Sequence, residues 1–391
     1  MGQKMKMPPR ILLPMPRGKP RPLQTGVSAL VWIFMAGAML LCAFMKESLL
    51  PRYFFFDAGT INKFISMGAK LVPGDSYSST AAVFGMLGFR QSSPLLPICT
   101  GMVVVPSLLW GIWSARGRFI RISELTIFGF FSFMGVIYLT TLSKDVIVLL
   151  LILSFVFLVN RGRGLGLISW VCLALLYGYF FRTYWFIVVL QFIAFRAALP
   201  RLKNRALIVM VVLMSLFSIA VIIRVKFGLS ADAFRTSVNE ARVDAGVGEA
   251  RTMIAPVFQG AGFLLGYINV CLTLAELITP VPLLAVPSPY YILIFIFIAT
   301  LQYAFWKSTW HAILSRDRFS IDCATLVISF LLVQSLFEPD YGSYVRHLAP
   351  FYPLMFYVWL RRPFSAVCDE IYSKGDGIRR GGFKNFDVKT I

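Results

Sequence analysis

Between two apolar runs, the segment 337–353 carries Glu338, Asp340, Arg346 and His347. Charge is costly in membrane-apolar surroundings, so ionisable residues there point to function. His347 has the side-chain type for proton transfer near neutral pH, with an ordinary imidazole pKa of about 6.5. Glu338 is a second candidate acid or base beside it. Arg346 offers a planar guanidinium suited to phosphate oxygens. Each has a plainer reading: a lone His beside an Arg is often a hydrogen-bonded structural group, and Asp340 before Tyr341 and Gly342 reads equally as a turn residue.

Three further places supply matching chemistry. Ser143, Lys144 and Asp145 form a very short turn between apolar runs, and Arg182 sits between Phe181 and the Tyr184–Trp185 pair. Cations on the outer side of a membrane contribute nothing to the inside-positive rule, so Lys144, Arg182 and Arg346 need another explanation. Snorkelling to lipid headgroups would account for each singly. Three around one mouth point instead to a shared anion site, and a diphosphate is the obvious match. Asp145 joins Glu338 and His347 as a candidate base or orienting group. In the loop 224–256, Ser230 reads as an N-cap, and Phe234, Val238, Ala241 and Ala245 recur at helical spacing up to Gly246. That pattern projects Arg235, Asn239 and Arg242 from one face, suited to an anion or to pairing with Glu240, Asp244 and Glu249. Asp57 and Asp75, in the first outer loop, are alternative bases for a sugar hydroxyl, with turn or cap roles as the plainer choice. Tyr179, Tyr184, Trp185, Tyr341 and Tyr344 could stack on sugars or anchor the membrane interface.

The elements that must position these groups are helices in a bilayer. Of 391 residues, 58% are hydrophobic and only 14% charged, and the mean hydropathy is +0.74; this excludes a single soluble core and reads as an all-α polytopic membrane protein. The net charge of +20 falls in clusters between apolar runs, so it orients the chain and does not imply nucleic acid. Apolar runs begin at Val27, Pro94, Ile122, Val146, Leu165, Trp185, Ala206, Val257, Tyr290, Ser320 and Leu348. Simple alternation keeps Arg116/Arg118/Arg121, Arg161/Arg163 and Arg196/Arg201/Lys203/Arg205 on the side of the basic N-terminal tail. It then misplaces Lys307/Arg316/Arg318 and the C-terminal tail, unless the run 257–289, interrupted by Pro280, Pro282, Pro287 and Pro289, enters and leaves on one side. The expectation is about ten spans plus a re-entrant or broken hairpin, with both termini cytosolic. Residues 1–26 form a basic tail, 27–360 the transmembrane domain with outer loops 46–93 and 224–256, and 361–391 a second basic tail.

The first run lacks a small-residue cleavage site and reads as an anchor. The six cysteines show no metal or disulfide spacing and read as buried thiols. There is no Walker motif, no HExxH and no nucleotide-binding glycine motif in a strand–helix setting. Internal repeats are not visible either, which weakens a transporter built from two similar halves.

Ser143-Lys144-Asp145, the outward Arg182, and Arg346-His347 followed by Pro350 and Pro353 resemble the pattern of bacterial Wzy-type O-antigen and exopolysaccharide polymerases. The likeness extends over most of the chain as architecture, through short motifs. That resemblance implies a metal-independent glycosyltransferase of the bacterial inner membrane, serving O-antigen, capsule or exopolysaccharide biosynthesis. It would join polyprenyl-diphosphate-linked oligosaccharide repeats on the outer, periplasmic face, without cofactor, beside a flippase and a chain-length regulator. Arg182, Arg346 and Arg242 would then stabilise the leaving diphosphate, with His347 as base and Asp145 or Glu338 as alternatives. Competing readings are a glycosyltransferase using a polyprenyl-monophosphate sugar with Asp57 or Asp75 as base, an O-antigen ligase, a lipid-linked glycan flippase, and a structural membrane subunit.

Overall fold

A computed structural model of the chain describes residues 22–113, 122–161, 164–202, 204–244, 252–260 and 262–361. The two tails beyond this range, the Arg116/Arg118/Arg121 cluster, Arg163, Lys203, Gly246, Glu249 and Cys368 lie outside the described residues. Two compact units divide between Ala38 and Met39. The first comprises the early part of helix α1 (Pro22–Leu49), whose Leu30, Ile33 and Phe34 are exposed. Everything below concerns the second unit.

Among the described residues the elements are helical, and the single extended feature is an isolated bridge between Met253 and Asp340. After α1 come α2 (Phe56–Ser66) and α3 (Ser76–Met86), a short pair ahead of α4. Then follow α4 (Leu95–Trp113), α5 (Ile122–Leu139), α6 (Lys144–Arg161), α7 (Leu165–Phe180), α8 (Trp185–Ala198) and α9 (Arg205–Phe227). The C-terminal part holds α10 (Ala233–Arg242), α11 (Phe263–Ile278), α12 (Pro289–Ser315), α13 (Arg318–Phe337), α14 (Tyr341–Leu348) and α15 (Tyr352–Leu360). Six of these, α1, α4, α5, α9, α12 and α13, are long and apolar enough to cross a membrane. Helices α7 and α11 are apolar but shorter, at 16 residues each. In the run 257–289, α11 is followed by a 3-10 turn at Val281–Ala285 before Pro289 opens α12.

The core sits around α13, in which every residue from Ser320 to Leu336 is buried. A helix apolar on all sides is covered on all sides; here the covering elements are α8, α11, α12 and α15. Helix α15 packs so closely on α4 that a Cβ at Gly111 would lie 2.6 Å from that of Phe356. Beside this contact Trp110 stacks on Tyr357 with ring centroids 4.9 Å apart. The thiols depart from expectation: Cys323 is buried, but Cys99 and Cys172 are exposed and Cys42 and Cys271 half-buried. These positions lie on apolar helix surfaces, where no core is needed to shelter an uncharged thiol.

Candidate functional site

The C-terminal end of α13 builds the site. Glu338 caps this helix through its backbone, donating to the Gln334 carbonyl at 2.8 Å. Pro339 stops the chain from continuing. Asp340 then starts α14 as a side-chain N-cap, accepting from the Ser343 amide at 2.7 Å and from its hydroxyl at 2.8 Å. With so short a connection, the last turn of α14 swings back over the end of α13. His347 Nδ1 thereby comes within 2.9 Å of Glu338 Oε2. A carboxylate holding Nδ1–H leaves Nε2 as the acceptor, the arrangement of an oriented general base. Arg346 Nη2 lies 3.4 Å from that nitrogen.

Arg346 also faces two carboxylates from distant parts of the chain. Its Nη1 is 3.1 Å from Asp57 Oδ2 and its Nε 3.6 Å from Asp145 Oδ2. Asp145 sits in the first turn of α6, a position favourable to negative charge. The Ser143 hydroxyl caps the same turn, accepting from the Asp145 amide at 3.1 Å. Arg182, in the break between α7 and α8, places Nη2 at 3.1 Å from Asp145 Oδ1 and donates from Nη1 to the Tyr184 hydroxyl at 2.8 Å. Lys144 Nζ is 3.8 Å from Asp57 Oδ2 and stands over the Tyr77 ring, 3.6 Å from its centroid. The Tyr77 hydroxyl donates to Asp57 Oδ1 at 2.8 Å.

These contacts shift the ionisation of the groups they join. Burial alone would raise the Asp145 carboxyl, but the surrounding cations, Arg182 foremost, outweigh it and hold the group at about 2. It is therefore a fixed counter-ion, poorly suited to accept a proton. Burial likewise opposes ionisation of Asp57, yet Arg346, Lys144 and the Tyr77 hydroxyl bring its carboxyl below the usual range. Burial, reinforced by Arg182, lowers Lys144 to about 8. Arg346 keeps its charge against burial because Asp145 and Asp57 face it.

Beside Arg346 opens a cavity of about 380 Å³. Phe130, Met134 and Tyr138 of α5 form one wall, and Tyr291, Ile294 and Ile298 of α12 the other. Asp340, Ser343 and Arg346 make its polar rim. From Tyr138 to Phe130 the wall descends about two helical turns, roughly 12 Å. Phe130 stacks on Phe297 at 4.0 Å across the two helices.

Of the residues expected from sequence to act, Lys144, Asp145, Arg182, Glu338, Arg346, His347 and Asp57 are brought together here. Asp75 is not; it is the N-cap of α3, accepting from the amides of Tyr77 and Ser78 at 3.0 and 3.1 Å. Arg235 is also elsewhere, because α10 packs the other way round from its apolar spacing. It begins after Asp232, without Ser230 as its cap. Arg235 and Asn239 are buried while Val238 and Ala241 are exposed. The reason is polar demand from below: the Arg235 guanidinium bonds the Thr273 hydroxyl of α11 and the Ser335 carbonyl of α13. Asn269 of α11 donates to Asp232 at 2.7 Å. A Cβ at Gly266 would meet Ser230 Cβ at 2.9 Å, so the α10 entrance lies directly on α11. Arg242 pairs with Asp340, which braces the start of α14. Tyr77 was not singled out in the sequence, and no local pattern there places it beside Lys144. Among the described residues no group of three His, Cys, Asp or Glu side chains is arranged to hold a metal ion.

No family model, no curated protein and no solved structure matches this chain.

Proposed function

We propose that the protein is a membrane glycosyltransferase that joins polyprenyl-diphosphate-linked oligosaccharide repeat units at the outer face of the bacterial inner membrane. The observation that carries this reading is the cluster itself: Lys144, Arg182 and Arg346 beside the His347–Glu338 pair, with Arg346 lining an apolar cleft between two helices of membrane-spanning length. A lipid-linked diphosphate matches both halves of that surface, since its prenyl tail suits the α5–α12 walls and its phosphates suit the guanidinium of Arg346.

In the reaction, a sugar hydroxyl of the incoming unit attacks the anomeric carbon of the growing chain. His347 Nε2 takes the hydroxyl proton while Glu338 holds Nδ1–H. The bond from the anomeric carbon to the diphosphate oxygen breaks, and the departing charge is met by Arg346 and Lys144, with Arg182 fixing Asp145 behind them. Cations already in place for developing charge act with little reorganisation. The bond to diphosphate carries the activation, so this scheme needs no nucleotide. The flippase and chain-length regulator would act before and alongside this step.

The ten-span arrangement with both termini cytosolic belongs to the same reading. Supporting it, residues 252–254 pair with 339–341 near the site, and Asn269 ties Phe258 back onto α11 through both backbone groups. The Tyr267 hydroxyl reaches the Leu213 carbonyl, midway along α9. A chain that leaves the site, turns, and climbs back through α11 to α12 satisfies the alternation that eleven full spans violate.

The monophosphate-sugar reading draws on one specific observation, the placement of Asp57 against Arg346 and Lys144. Its lowered carboxyl pKa disfavours it as the base. The deciding experiment compares surface glycan by electrophoresis in strains lacking the gene and complemented with wild type or Arg346→Ala at equal membrane levels. Glycan capped at a single repeat in both the null and Arg346→Ala strains supports polymerisation. Build-up of lipid-linked units on the cytosolic side alone would identify a flippase.

A further inference from the structure

The cations of the site have no spare charge. Lys144, Arg182 and Arg346 face Asp57 and Asp145, and Glu338 adds a third carboxylate beside His347. An anionic substrate entering so balanced a cluster must displace one of the carboxylates or remain poorly compensated. Two of the three are locked. The side chains of Asp145 and Glu338 are 1% and 0% exposed, and each belongs to the end of a bundle helix with its own partner, Arg182 or His347. Asp57 differs. It is 15% exposed and is carried by the α2–α3 hairpin, a separate element ahead of α4.

We propose that Asp57 is a resident counter-ion which occupies the diphosphate position at Arg346 and Lys144, and that the α2–α3 hairpin withdraws it when substrate arrives. This rests on the diphosphate reading of the site and adds how that site is gated. The hairpin is built for such a movement. Its helices are joined through Gly68 and Gly74, and Gly88 follows α3, with φ of +72°, +78° and +73°. Those left-handed turns hold their shape without side chains that pack on the bundle. Within the hairpin, Ser78 and Ser79 hydroxyls donate to the carbonyls of Lys70 and Val72 at 2.8 Å each, so it moves as a unit. Its polar attachments to the bundle include the Gly74 amide on the Tyr179 carbonyl at 3.0 Å and the Lys144–Tyr77 contact. Phe54, just ahead of α2, lines the apolar cleft. Withdrawal of the hairpin therefore frees the cations and opens the cleft beside them in one movement.

The test uses the full-length protein in lipid nanodiscs with inorganic pyrophosphate as probe. Calorimetry reads affinity, and amide hydrogen exchange reads residues 56–86. Pyrophosphate should bind the wild type and raise exchange across 56–86. Asp57→Asn should bind it about tenfold tighter, roughly the weight of one charge-assisted bond removed from the competing side. Tyr77→Phe, which frees Asp57 but keeps the ring under Lys144, should act in the same direction by a smaller factor, and it carries the test alone if Asp57→Asn does not fold. Binding to wild type with unchanged hairpin exchange, and no tighter binding in either variant, would overturn the exchange and leave the diphosphate site standing. Absence of binding in wild type and both variants would overturn the exchange and the diphosphate reading together.

Discussion

The two ends of α13 both carry ion pairs, yet they are built differently. At the N-terminal end Asp322 meets Arg196 at 2.8 Å and Asp317 meets Arg361 at 3.0 Å, each carboxylate with one arginine whose side chain remains 31% or 41% exposed. At the C-terminal end Asp145 and Asp57 each contact two cations, and Arg346 is shared between them. One-to-one pairs near solvent pin helix ends at little gain or cost. A shared, buried network is poorly explained as a stability device, because its desolvation penalty rivals its attraction. The connectivity of the charges and the cavity beside Arg346 distinguish the C-terminal end from the N-terminal one.

The largest effect that would break this comparison comes from Asp145→Ala. It leaves Arg182 buried and unpaired and should cost about 3–5 kcal/mol, read by thermal unfolding in detergent, together with loss of glycan polymer. A tolerant protein would show that the network is not interlocked. Next, Arg346→Ala should slow repeat-unit joining by about a hundredfold or more with a smaller effect on unfolding, because this side chain sits at the rim of the cleft. Smaller again is the response to pH. Lys144 is a cation below about 8 and neutral above it, so joining activity should fall severalfold as pH rises through that value. Lys144→Arg, which stays charged, should flatten that alkaline limb; an unchanged profile would remove Lys144 from the anion site. Arg361→Gln at the opposite end should shift stability by no more than about 0.5 kcal/mol and leave glycan length unaltered.

The helical membrane class was legible from hydropathy alone, and so was the gathering of Lys144, Asp145, Arg182, Glu338, Arg346 and His347, because charge amid apolar residues is conspicuous. Asp57 was legible only as an isolated acid after three phenylalanines. Its convergence on Arg346 depends on how the α2–α3 hairpin folds, which no local pattern encodes. Helix α10 shows the opposite failure. Its apolar spacing is real, but polar partners reverse the usual inside and outside: Arg235 turns inward to Thr273 and Ser335, while Val238 is left facing out. Asp340 illustrates a third limit, since one side chain serves both as the α14 cap and as the partner of Arg242.

The brevity of the link between Glu338 and α14 sets a distance. Helix α14 contains only eight residues. One residue inserted at Pro339, in the extended link between the two helices, would leave the phase within α14 unchanged but displace its cap by up to about 3.5 Å, enough to break the 2.9 Å contact of His347 with Glu338. Loops ordinarily absorb length changes; this one is a gear tooth, and the chain should accept substitutions around it far more readily than a single insertion or deletion.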